Sequence, residues 1–324
     1  MPLTADPPAA VTLDDVRAAA RTLDGIVVRT PLVEVPALSD LAGVPVALKC
    51  EQLQPIGAFK VRGAYNAISR AAAAGARGIV TQSSGNHGQA VAWAARAFGL
   101  RAVVVMPEST PRIKVDGVRR HGGEVVFAGA IRSPEQGQRA EAIARQDGLV
   151  MIPPFDHPDV VAGQGTIGLE IAEQRPDVAV VLSPVSGGGL LAGITVAISA
   201  LKPQARIVAV EPAGAAKLSA ALAAGEPRTL ERTESMADGL LTRSIGSFTF
   251  PIIRRVVREA VQVAEDEIAA AVRFLHREAG LRVEPSGAVT TAAVLAGRVR
   301  LDGPAVLVVS GGNVDPELFQ RLAE

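Results

Sequence analysis

Lys60 lies in the stretch Gln54-Pro55-Ile56-Gly57-Ala58-Phe59-Lys60-Val61-Arg62-Gly63-Ala64. Pro55 and Gly57 suit a turn, and Phe59 to Ile68 carries a helical pattern. Lys60 is thereby placed at a helix start, where the aligned peptide dipoles disfavour a cation. An amine held there between Phe59 and Val61 loses its proton more readily and can act as a nucleophile or Schiff-base amine. A solvated surface lysine is the competing reading, because most lysines are exposed.

Two further segments could bind anions. Thr81-Gln82-Ser83-Ser84-Gly85-Asn86-His87-Gly88-Gln89-Ala90 follows an apolar run and opens a helix. Helix-start N–H groups, with Ser83, Ser84 and Asn86 as side-chain donors, fit an α-carboxylate. An ordinary turn with serine capping and glycine turning uses the same residue types. Ser186-Gly187-Gly188-Gly189-Leu190-Leu191-Ala192-Gly193 lets a backbone wrap a single phosphate, or makes a flexible turn. Neither G-x-G-x-x-G nor G-x-x-x-x-G-K-[ST] is present, so a dinucleotide or triphosphate is not indicated. Ser310-Gly311-Gly312-Asn313 follows the last apolar run. Ligands of open α/β sheets bind beyond the carboxyl ends of the strands, so these segments could line one crevice.

The elements that must position them read as α/β. Strands are expected at 44–49, 78–82, 101–106, 124–128, 149–152, 178–182, 206–210 and 305–309. They are rich in Val and Ile and mostly lack alternation, which is the pattern of parallel strands buried on both faces. Ala-rich helical segments at 90–98, 159–174, 190–201 and 286–299 separate them. Thr12 with Asp15 reads as a capping box, and Pro158 suits a first helical turn. Pro153-Pro154 is the best candidate for a domain crossing.

Composition narrows the function. The 324 residues carry 33 Lys plus Arg and 33 Asp plus Glu. No basic surplus exists for nucleic acid. No apolar run is long enough for a membrane span, and Met1 to Ala10 does not read as a secretory signal. One cysteine, Cys50, excludes an internal disulfide and fits a cytoplasmic protein. The four histidines lack zinc-site spacing.

Together the four segments resemble the fold-type II pyridoxal-phosphate enzymes, in the branch of serine/threonine dehydratases and serine racemases. The likeness runs from Thr30-Pro31-Leu32 to Ser310-Gly311-Gly312-Asn313-Val314, with the motifs in the family's order. It implies two open, twisted, mostly parallel sheets covered by helices (tryptophan synthase β-like). A large cofactor domain (1–81 plus 158–324) would carry a small one (82–157) that closes over the substrate. The chain ends soon after Asn313, so no C-terminal regulatory domain is expected. A homodimer is implied by the family.

The resemblance assigns roles to particular residues. Lys60 holds pyridoxal 5'-phosphate (PLP) and later acts as base on one face of the substrate Cα. Ser186, Gly187, Gly188, Gly189 and Leu190 bind the phosphate. Asn86 contacts the ring oxygen and Phe59 lies against the ring. Ser83, Ser84, Gly85, Asn86 and His87 bind the substrate carboxylate. Ser310 faces the pyridine nitrogen, with Gly311 beside it. A serine hydroxyl cannot keep that nitrogen protonated as a carboxylate would, so the ring is a weaker electron sink and elimination is favoured over a full carbanion. Asp238 and Gly239 shape the crevice, and Glu284 orients the ring or assists its protonation.

The expected reaction is dehydration and deamination of L-threonine or L-serine to a 2-oxo acid and ammonia. Alternatives are a 3-hydroxyaspartate dehydratase, a serine racemase using Ser84 as acid/base on the opposite face, or a sensor binding PLP or an amino acid. Arg132 and Arg139 lie where a distal carboxylate could be read, and neither is assigned. Related racemases bind a divalent cation along Glu-Pro-x-x-x-x-Asp. Glu211 and the Ala215 carbonyl match, but Lys217 stands at the aspartate position. A divalent metal is therefore not expected, and Lys217 is read as a tethered cation paired with Glu211, or as a solvent-facing residue at a lost site.

Overall fold

The computed structural model describes residues 11–83, 85–110, 112–130, 134–258 and 260–324. The strands in chain order are β1 (Leu32–Glu34), β2 (Val46–Cys50), β3 (Gly78–Gln82), β4 (Arg101–Met106), β5 (Glu124–Phe127), β6 (Val150–Met151), β7 (Val180–Pro184), β8 (Arg206–Pro212), β9 (Ala260–Val263) and β10 (Ala305–Val309). Between and around them run α1 (Leu13–Leu23), α2 (Pro36–Ala42), α3 (Lys60–Ala73), α4 (Asn86–Ala97), α5 (Arg112–Arg120), α6 (Glu135–Asp147), α7 (Pro158–Gln174), α8 (Gly189–Leu201), α9 (Lys217–Ala224), α10 (Thr249–Ile253), α11 (Glu265–Ala279), α12 (Pro285–Leu295) and α13 (Pro316–Ala323).

Two sheets form. The larger has the order β1-β2-β10-β7-β8-β9, and the smaller β5-β4-β3-β6. All pairings between these strands are parallel except β1 with β2. Both faces of the larger sheet are covered, which explains the unbroken apolar strands. Val181, Ile207, Val306 and Val308 pack toward α7 and α8 through Ile167, Ile171, Leu191 and Ile198. Their neighbours Val180, Leu182, Val208 and Leu307 pack toward α11 and α12 through Ile268, Val272, Val289 and Ala292. Each such side chain contributes roughly 1.5–3 kcal/mol on burial. In the smaller sheet, Ile79 meets α3 and α4 while Val103 and Val105 meet α6. Among the described residues no helix is long and apolar enough to cross a membrane.

The expected strands are present, β3, β4 and β10 with the expected limits and the others with shifted ends, and two short edge strands, β1 and β9, join them. α12 stops at Leu295, short of the expected Val299, because the chain turns at Gly297 with φ +63. The Thr12–Asp15 capping box is formed, and Pro158 is in the first turn of α7.

Candidate active site

Five segments converge at the carboxyl ends of β2, β3, β6, β7 and β10. Lys60 is the first residue of α3, whose start has no side-chain cap. Its half-buried ammonium donates to Pro154 O at 2.7 Å, beyond β6. Among the described residues no carboxylate offsets the burial, which pulls the amine down to about 8. The solvated reading of Lys60 is therefore replaced by a desolvated amine held on the Pro154 carbonyl.

A buried ionic cluster anchors the helix that carries it. Arg62 Nε and Nη2 each donate to Glu51 at 2.8 Å, and Nη1 donates to Glu170 at 2.6 Å. Lys49 Nζ completes the cluster on Glu170 at 2.5 Å. The cluster ties α3 to β2 and α7 only two residues from Lys60. Phe59 N donates to Ser310 O at 3.1 Å, and Ala58 bridges to Gly311, so the approach to Lys60 lies along the end of β10.

Pro154 leads into Phe155, whose ring underlies the glycine-rich start of α8. A Cβ on Gly187 would sit 2.4 Å from that ring, and one on Gly189 3.0 Å from Phe155. Gly188 has φ +98, and a Cβ there would meet Thr249 Oγ1 at 2.7 Å. Thr249 Oγ1 also donates to Gly187 O at 2.7 Å. The loop is thus packed from behind, which requires glycine, while the helix-start N–H groups through Leu190 have no intrahelical acceptor. That donor set fits a phosphate. Ser186 hydrogen-bonds with Thr242 across 3.1 Å.

Beyond β3, Ser83 Oγ accepts from Gly85 N at 3.2 Å and Asn86 opens α4. Ser84 lies outside the described residues, as do Met1 to Ala10, Arg132 and Ser133. Asn86 Nδ2 donates to Glu284 Oε1, and its Oδ1 accepts from Asn313 Nδ2, both at 2.8 Å. His87 is buried with Nε2 3.1 Å from Ile152 O. A carbonyl only accepts, so Nε2 carries the hydrogen and Nδ1, which has no partner among the described residues, is bare. Burial, with Lys60 nearby, pushes His87 down to about 3, so it is neutral.

Glu284 precedes α12, and its N–H donates to Gly311 O at 3.1 Å. Burial, reinforced by Asp238, pushes its carboxyl up to about 7. Ser310 is buried, with Oγ 3.4 Å from Ser286 O. Gly239 N donates to Ser286 Oγ at 2.9 Å. Asp238 pairs with Lys114 of α5, joining elements of the two sheets. Arg139 is exposed on α6. Glu211, Ala215 and Lys217 form a separate buried group, so Lys217 does not point to solvent.

Sequence pattern alone does not single out Pro154 as the amine's partner, nor Phe155, Thr249 or Lys114. Phe155 is signalled only by its place after the Pro153-Pro154 turn. Thr249 and Lys114 carry no local pattern and become visible only through contacts across the fold.

A desolvated lysine at one helix start, together with a glycine-rich second helix start whose N–H donors suit a phosphate, is the combination of a Schiff-base enzyme with a phosphorylated aldehyde cofactor. Residues 23–311 match the family described as pyridoxal-phosphate dependent enzyme, and the chain belongs to that family. It is 41% identical over 314 residues to an L-threonine ammonia-lyase of Thermotoga maritima, covering 96% of this chain and 78% of the relative. It is 40% identical to a serine racemase of Arabidopsis thaliana, covering 89% and 88% of the two chains. The solved structure of a maize serine racemase superposes with a TM-score of 0.92 at 34% identity, over 97% of each chain.

Proposed function

We propose that this protein is a PLP-dependent ammonia-lyase that converts L-threonine or L-serine to a 2-oxo acid and ammonia. The carrying observation is the Lys60 amine, desolvated at a helix start whose preceding Phe59 N–H donates to Ser310 O at 3.1 Å, so that a residue with a hydroxyl rather than a carboxylate stands beside it. Similarity to L-threonine ammonia-lyases supports the same reading. PLP, when bound, supplies the electron sink that weakens the bonds at the substrate Cα.

The chain supplies the rest. Lys60 holds the cofactor and then moves the Cα proton. Ser186 through Leu190 would hold the phosphate with backbone N–H groups, Phe59 would lie against the ring, and Asn86 would bond its oxygen. The start of α4, from Ser83 to His87 with Ser84, receives the α-carboxylate. Ser310 and Gly311 would abut the pyridine nitrogen, where a hydroxyl would not keep it protonated as a carboxylate would, which favours loss of the β-hydroxyl over a full carbanion. Glu284 is the buried acid nearest Asn86 and orients the ring. Gly239 lines the crevice.

Residues 82–157 form the closing domain in this reading, and the Lys114–Asp238 pair supports it by spanning the two sheets' elements. The functional unit is a homodimer. Val28 and Leu53, exposed on segments joined by the Gln54–Val28 hydrogen bonds, offer an apolar surface for it. A single buried cysteine suits the cytoplasm. Racemisation of serine at the same site is the second reading, favoured by the likeness to serine racemases.

The test is release of 2-oxo acid from L-threonine and L-serine by the PLP-loaded enzyme, with both threo-3-hydroxyaspartate enantiomers alongside. Faster release from threonine and serine supports the proposal. Preference for hydroxyaspartate, or release from none, overturns it.

A further inference from the structure

Lys217 begins α9 fully buried, and nothing in the chemistry above uses it. Its ammonium donates to Ala215 O at 2.7 Å and Leu240 O at 2.9 Å and lies 3.9 Å from Glu211 Oε2. A buried ammonium persists only where fixed oxygens replace water. Glu211 is also fully buried. Its Oε2 accepts from Leu218 N at 2.9 Å, and its Oε1 accepts from Ser219 N at 2.9 Å and Ser219 Oγ at 2.7 Å. The carboxylate therefore occupies the N-terminus of α9, and both of its oxygens are engaged.

This donor set does not fit the divalent ion that related racemases bind along Glu-Pro-x-x-x-x-Asp. Magnesium and calcium require about six or more oxygen ligands. Here the Ala215 carbonyl is already taken by the Lys217 ammonium, which would repel a second cation. Among the described residues no group of three or more His, Cys, Asp or Glu could hold a metal.

We propose that Lys217 is a built-in cation that replaces a divalent ion, tying the Ala215 carbonyl, the Glu211 carboxylate and the Leu240 carbonyl into one oxygen cage. The consequence reaches the crevice through the single 3₁₀ turn Asp238–Leu240. Leu240 ends that turn, Asp238 in it pairs with Lys114, and Gly239 N holds Ser286 Oγ. Lys217 is thus a positioning residue that makes the turn independent of metal. The inference does not depend on which amino acid is the substrate, so the two can fail separately.

The test uses PLP-loaded enzyme stripped with a chelator, titrated with magnesium chloride and with calcium chloride. Calorimetry and thermal melting are the readouts. Wild type is expected to bind neither ion saturably and to keep its Tm. Lys217→Asp restores the carboxylate of the pattern, and it is expected to gain one saturable site and a Tm that rises with either ion. A purely structural lysine would not yield that cation rescue. Lys217→Met is expected to melt lower, to ignore both ions and to exchange amide hydrogens faster at residues 238–241. One divalent ion bound per wild-type chain would overturn the proposal. So would a folded Lys217→Asp with no response to either ion. If that variant does not fold, the wild-type titration decides alone.

Discussion

Asn86 Nδ2 donates to Glu284 Oε1 at 2.8 Å, joining the first turn of α4 to the residue before α12. The acceptor is a carboxyl that the fold prefers to keep protonated. Burial is the main cause and Asp238 adds to it, while the Asn86 hydrogen bond and Lys114 oppose it.

That balance predicts a pH-dependent stability. The folded value of Glu284, about 7, is raised above the ordinary 4.5. Its stabilising contribution is complete below the ordinary value and is lost as pH rises through the folded one. In protein freed of PLP, Glu284→Gln should therefore narrow the fall in Tm between about pH 5 and 8. Parallel Tm curves for the two proteins would contradict this.

Lys114 and Asp238 are partly exposed, so their pair should add only about 0–1 kcal/mol to stability. On the proposed closing of residues 82–157 over the substrate, its effect belongs to that step. Lys114→Ala should raise KM for the amino acid with little change in Tm, and the rise should shrink in high salt. The same variant should push Glu284 higher still, because Lys114 lowers it. An unchanged KM would separate the pair from closure.

Gly188→Ala should lose PLP affinity. Its φ of +98 strains any side chain, and the new methyl would meet Thr249 Oγ1 at 2.7 Å. The backbone cost alone is about 1–2 kcal/mol. Equilibrium binding of PLP measures the loss, and wild-type affinity would count against the phosphate cradle.

Arg62→Met should destabilise the fold by about 3–5 kcal/mol, because it leaves the buried Glu51 and Glu170 without their shared partner. Urea unfolding gives the number. A loss below about 1 kcal/mol would mean that the cluster rearranges around Lys49.

Much of this arrangement is legible in the chain. Strands β3, β4 and β10 have the expected limits because a continuous Val and Ile run has a clear start and stop. Lys60 at a helix start follows from Pro55 and Gly57 ahead of a helical pattern. The three-residue β1 and four-residue β9 are not legible, since short edge strands are recruited by neighbours rather than by their own periodicity. Likewise the Pro154 carbonyl offers no side-chain signal, yet it receives the Lys60 amine. Asn86 with Glu284, and Lys114 with Asp238, meet across more than a hundred residues, a relation that local pattern does not encode.

The central claim is elimination at a site where Ser310 would offer the pyridine nitrogen a hydroxyl. The direct measurement is a single incubation of PLP-loaded enzyme with L-serine, scored for both pyruvate and D-serine, beside Lys60→Ala. The account predicts mostly pyruvate from wild type and a drop of roughly 10²–10⁴-fold or more in Lys60→Ala. Mostly D-serine, or equal rates from the two proteins, would contradict it.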